Sequence, residues 1–121
     1  LNVKTDETGG SFTFDSHNAN QYADLQGGLA VASVSGLSLY DASGKETAVV
    51  QAKLDTPAIQ TGSRLTLAYD VGGNNLLAVR NSGETALSIT TQRPIFDANM
   101  ASDGSVCYAT SESGYKTILY V

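Results

Sequence analysis

The sequence predicts an all-β fold built of antiparallel, four-stranded, propeller-blade-like repeats, about three units with the last one incomplete. Three observations carry this. Apolar residues alternate at period two: Leu65, Leu67 and Tyr69; Leu77 and Val79; Ile118 and Tyr120. That period, with β-branched and aromatic residues, marks half-buried strands. Short apolar runs alternate with Gly-bearing turns at 41–45, 71–75, 81–84, 102–105 and 112–115, where a positive φ costs glycine little. Finally, strong strands end near Tyr40, Val79 and Tyr120, 39 and 41 residues apart. A repeat of about 40 residues with four strands is the pattern of a propeller blade.

Taken in order, the first element is SFTFD, a strand expected at Ser11–Asp15 that belongs to no repeat. The first unit spans about 22–56. It opens with a weak strand and a Gly27-Gly28 turn, continues through GLAVASVSGLSLY, turns at DASGK, and closes with a strand over Glu46–Lys53. The second, about 57–93, contains RLTLAYD, the VGGNN turn, an apolar strand to Val79, the NSGE turn and a strand over Thr85–Gln92. The third, about 94–121, has IFDANM, VCYAT and a strand ending in Leu119-Tyr120-Val121, with no fourth. Pro57 and Pro94 punctuate the units, because proline lacks the ladder donor and suits a strand entrance or an edge.

Three blades do not comfortably close a ring of the usual four to eight. The spare strand at 11–15 is therefore expected to complete the third unit of a neighbouring copy. This predicts a homo-oligomer formed by strand or blade exchange, a closed cyclic dimer being one form. The alternative is that the chain is a piece of a longer protein, as a first residue other than Met also suggests.

The runs GLSLYDASGK, RLTLAYDVGGNNLLAV and SDGSVCYATSESGYKT resemble uncharacterised propeller proteins of Gram-positive Firmicutes. In these a membrane-anchoring helix carries an extracytoplasmic quinoprotein-like or WD40-like propeller. ATSESGYKT is the most specific part, and the resemblance covers about residues 11–121. It implies a cell-surface location for the parent protein and no established activity, and it offers no catalytic residues to carry over. This chain departs from the pattern in lacking the anchor and in ending short of three full units.

Composition narrows the function. The 121 residues are 41% hydrophobic and only 16% charged, with a net charge of −5. An acidic chain with no Lys/Arg cluster has no electrostatic footprint for nucleic acid or anionic lipid. No run reaches the roughly 18 apolar residues of a membrane helix, so no direct membrane contact is expected of this segment. The single cysteine, Cys107, cannot form an internal disulfide, and its V-C-Y-A-T setting reads as strand interior. The single histidine, His17, lies in polar SHNANQ, where it reads as solvated.

The chemistry-bearing patterns are weak. Asp97, Asn99 and Asp103 suggest a calcium loop, but Ala101 and Ser102 occupy the fifth and sixth positions, where oxygen and glycine are needed. Asp41-Ala-Ser43-Gly44 reads as a turn in which Asp41 bonds its own backbone. The Gly9-Gly10, Gly27-Gly28 and Gly72-Gly73 pairs do not extend into a phosphate loop, and no G-x-S-x-G elbow occurs. Catalytic residues, cofactor and metal are all expected to be none. Tyr40, Tyr69, Tyr108, Tyr115 and Tyr120 read as packing between units with their hydroxyls at the rim. Tyr115 follows a turn glycine and is the candidate for an exposed binding contact. The expected function is a noncatalytic extracytoplasmic binding or scaffold module for a protein or glycan. The alternatives are a hydrolase-like enzyme with an acidic funnel, or a purely structural segment of a larger surface protein.

Overall fold

A computed structural model describes residues 20–101, 105–110 and 113–119. The described residues form eleven strands and no helix: β1 Gln21–Leu25, β2 Gly28–Ser33, β3 Gly36–Tyr40, β4 Glu46–Gln51, β5 Pro57–Thr61, β6 Leu65–Asp70, β7 Asn75–Arg80, β8 Thr85–Thr90, β9 Ile95–Met100, β10 Val106–Thr110 and β11 Ser113–Leu119. They make three antiparallel meanders, β1–β4, β5–β8 and β9–β11, in which neighbours in sequence are neighbours in space. The all-β, blade-like expectation is met by sheets of four, four and three strands, none of them closed. The expected strand at Ser11–Asp15 lies outside the described residues, as do His17, Asp103 and Tyr120.

The three sheets stack through the faces of the middle one. In the second sheet Thr66 pairs with Val79 and Ala68 with Leu77, while Leu67 pairs with Ala78 and Tyr69 with Leu76. Paired residues share a face and successive residues alternate. Accordingly Ala68, Leu77 and Val79 join Leu25, Ala30, Ala32, Leu37, Leu39 and Leu54 in one core. Leu65, Leu67, Tyr69, Leu76 and Ala78 join Ile95, Ala98 and Val106 in the other. All six residues of β6 are buried as a result. The outer strands β4 and β8 alternate instead between exposed and half-buried positions, as edge strands with one wetted face do.

Local hydrogen bonds tie the connections down. Asp41 Oδ1 accepts from Ser43 N at 3.0 Å, Ser43 Oγ at 2.7 Å and Lys45 N at 3.0 Å, so this side chain does bond its own turn. The Ser43 hydroxyl foremost, and then the Lys45 amide, hold the Asp41 carboxyl below its usual range. A depressed carboxyl contributes stability above its unfolded pKa and loses that contribution as pH falls through the folded value. Between the first two sheets, Leu54 is fully buried and its N–H bonds the Val34 carbonyl at 3.1 Å. Asp70, also buried, accepts from Thr56 N at 2.7 Å.

Several expectations need correction. The strand expected over Glu46–Lys53 ends at Gln51, because the Ala52 N–H leaves the ladder for the Ser35 carbonyl. The strand expected to Gln92 ends at Thr90, because Thr91 is captured by Asn74. Gly44, Gly72 and Gly83 take the positive φ that their turns require. Gly114 does not: it lies inside β11. Cys107 is half-buried rather than interior, with its thiol 3.6 Å from the Asn99 carbonyl.

Candidate binding site

Two of the register irregularities in the third sheet lie on either side of one small residue, Ala109. Ala109 pairs with Asp97 and Thr110 with Ile95, so β9 has one extra residue, Phe96, at that point. Across β10 in the other direction, Tyr108 pairs with Lys116 and Thr110 with Ser113, which sets Gly114 and Tyr115 together against Ala109. Such bulges bend a strand and re-aim its side chains. Here they turn Phe96 outward, 72% exposed, and bring Asp97 of the first strand and Tyr115 of the third to one place.

Two strand spacings separate β9 from β11, about 9.6 Å. That gap needs a long side chain on one strand and a short one on the other, with nothing bulky between. Tyr115 supplies the length and Asp97 the short arm. Ala109, between them, has only a methyl group. The Tyr115 hydroxyl donates to Asp97 Oδ2. The other oxygen, Oδ1, accepts from Tyr69 of the second sheet at 3.1 Å and from the Ala98 N–H at 3.0 Å. Both carboxylate oxygens are thus engaged, and one residue joins two sheets.

Next along β9, Asn99 Oδ1 accepts from Gln60 Nε2 at 2.9 Å, and Gln60 Oε1 accepts from Met100 N at 2.8 Å. The first strands of the second and third sheets, β5 and β9, are therefore linked through the Gln60 amide, while Tyr69 of β6 reaches Asp97. Of the residues that suggested a calcium loop, Asp97 is held by tyrosines and a backbone amide, and Asn99 by Gln60. Asp103 lies outside the described residues. Among the described residues no three His, Cys, Asp or Glu side chains converge.

The electrostatics follow from the contacts. Tyr115 is raised above the ordinary tyrosine value, mainly because its hydroxyl donates to the Asp97 carboxylate. Tyr69 is also raised, in its case first by burial. A raised phenol contributes its stabilisation below the usual value of about 10 and loses it as pH rises through the folded value. An absorbance titration at 295 nm is therefore expected to show two late-ionising tyrosines. Asp97→Asn should bring Tyr115 back towards the ordinary range, and Tyr115→Phe should remove one late phenol. Titration curves that coincide for wild type and both variants would contradict the contact.

Sequence reasoning singled out Tyr115 but missed its partner. Asp97 was weighed as a metal ligand, and Tyr69 only as packing. The available signal was the small Ala109 between two aromatic-bearing strands, though the bulges that make it meaningful are not readable from residue spacing.

Fold and site together define a class: an all-β chain of stacked antiparallel sheets, with a tyrosine-clamped carboxylate on an exposed face. The chain belongs to DUF5711, a family of unknown function, whose sequence profile matches residues 2–121. Among curated proteins none matches the sequence.

Proposed function

We propose that the chain is a noncatalytic binding or scaffold module from an extracytoplasmic, cell-surface propeller protein, and that its third sheet presents contacts to a protein or glycan. The observation that carries this reading is the arrangement at Asp97. A carboxylate whose two oxygens accept from Tyr69, Tyr115 and the Ala98 amide is tied into a contact between sheets and holds the exposed Tyr115 ring in place. Beside it, the exposed Phe96 and Tyr115 rings offer the amphipathic area that sugar and peptide surfaces stack against. The extracytoplasmic location and the propeller are supported by the sequence resemblance and by the blade-like stacking of the sheets. Self-association through strand or blade exchange is supported by β11, which pairs on one side only among the described residues.

Six tyrosines and no tryptophan make tyrosine fluorescence the natural readout. Titration with neutral oligosaccharides and with unstructured peptides is expected to give a saturable change in wild type, weakened about tenfold in Tyr115→Ala, where loss of one stacked aromatic is worth roughly 1.4 kcal/mol. Turnover of any of these compounds, or binding indifferent to Tyr115→Ala, would overturn the reading. Sizing chromatography of the chain with and without residues 1–16 tests the exchange, with a lower apparent mass or aggregation expected on deletion.

A further inference from the structure

A groove of about 540 Å³ opens between the second and third sheets, and its chemistry differs from that around Asp97. One wall is Ile89 and Thr90 at the end of β8, continuing into Thr91, Gln92 and Arg93. The facing wall is Tyr108, Thr110 and Lys116 of β10 and β11. Its volume falls within the range of small-molecule sites. Two of the chain's seven Lys and Arg residues line it, and among the described residues no Asp or Glu does, in a chain of net charge −5.

The cations are positioned by the fold. The Thr91 hydroxyl bonds the Arg93 carbonyl at 2.7 Å, and Asn74 Nδ2 bonds the Thr91 carbonyl at 2.9 Å. The Thr91 N–H returns to the Asn74 carbonyl at 2.7 Å, so the segment that carries the guanidinium is pinned to the turn before β7. Arg93 makes an interaction of its own within the chain, and a guanidinium carries five donors in a planar fork. Opposite, Lys116 pairs directly with Tyr108 across β10 and β11. Tyr108 packs against the core between the sheets, so Lys116 shares the face turned towards the second sheet. The neighbouring Tyr115 is engaged instead with Asp97.

We propose that this groove is a binding site for an anionic saccharide, its acidic group held between Arg93 and Lys116. The acid is a carboxylate or a phosphate, since both present the oxygens that a guanidinium and an ammonium bind. Thr90, Thr110 and Gln92 supply hydroxyl and amide groups suited to sugar hydroxyls, and Ile89 with the edge of Tyr108 supplies the apolar floor. This goes beyond the module reading above, since it concerns different residues and a different ligand charge.

The test is calorimetric titration of the whole chain with trigalacturonate and with glucose 6-phosphate, against maltotriose and inorganic phosphate. Binding of one or both acidic sugars is expected, and which one binds identifies the acidic group. Arg93→Ala and Lys116→Ala should each weaken that binding about tenfold, and raising salt from 50 to 200 mM should weaken it further. Val49→Ala, exposed on β4 of the first sheet, should leave it unchanged, and the dependence on salt and on Arg93 and Lys116, absent for maltotriose, separates this site from the one at Asp97. Thermal melts matching wild type establish that the variants fold, and Lys116→Arg, which keeps the charge, should retain most of the affinity. The proposal is overturned if neither acidic sugar binds, if Arg93→Ala and Lys116→Ala weaken maltotriose binding as much as acidic-sugar binding, if inorganic phosphate binds as tightly as the acidic sugar, or if folded Arg93→Ala and Lys116→Ala bind the acidic sugar like wild type.

Discussion

Replacing Gly36 with alanine is expected to cost about 3 kcal/mol of stability, at the upper end for a single strained backbone position. Gly36 has φ 137°, a conformation that L side chains rarely adopt. A Cβ there would lie 2.1 Å from the Val50 carbonyl oxygen and 3.0 Å from both Ala52 N and Gln51 Cα. All three atoms are backbone, on or just past β4, so no rotamer change relieves the clash. Gly36 is also where β2 turns into β3, paired to Ser33 on one side and Gln51 on the other. The whole first sheet must shift to accept the methyl. A fall in melting temperature of roughly 10 °C is expected, at about 4 °C per kcal/mol for a chain of this size. Gly72→Ala is the control: its φ is 80°, yet nothing lies within 4 Å of the added Cβ. It should lose only the conformational cost of about 1 kcal/mol. Equal losses at the two positions would show that the close approach to β4 is immaterial.

The second large effect is at Leu67. This side chain is fully buried between the second and third sheets. Leu67→Ala is expected to cost about 2–5 kcal/mol through lost burial and the cavity left behind. The loss should also be local. Among the described residues the third sheet packs only on the second, so weakening that interface frees β9–β11 before the rest. Hydrogen exchange should accelerate across β9–β11, while β2 and β3 keep more of their protection. Leu39→Ala, in the other core, should reverse the pattern. Uniform acceleration in both variants would mean that the sheets unfold as one unit.

The strands were legible because each repeats a local signal. Alternation in RLTLAYD and the glycines of the turns mark most boundaries to within two residues, and Pro57 does open β5. In β6 the alternation separates two kinds of apolar contact rather than inside from outside, since both faces are covered. The sequence therefore located β6 without revealing that it is the most buried strand. The Asp97 site was hidden for a different reason. Its formation depends on one extra residue in β9 and one in β11, and a register slip leaves no compositional trace. Arg93 and Lys116 are 23 positions apart and line one groove only because sheets stack. Neither forms a charge cluster along the chain, which is why the composition argued against nucleic acid and anionic lipid and did not reveal the groove.

The doubly covered middle sheet sets how freely each part of the chain can vary. A position in β6 or β7 must satisfy two neighbours at once, since a change that suits one face alters the backbone offered to the other. Positions in β4 and β8 answer to one neighbour and to water. Tolerance to random substitution should therefore be graded from the outer strands inward, lowest between Leu65 and Val79, and a redesigned variant gains most latitude at the solvent-facing positions of β4 and β8.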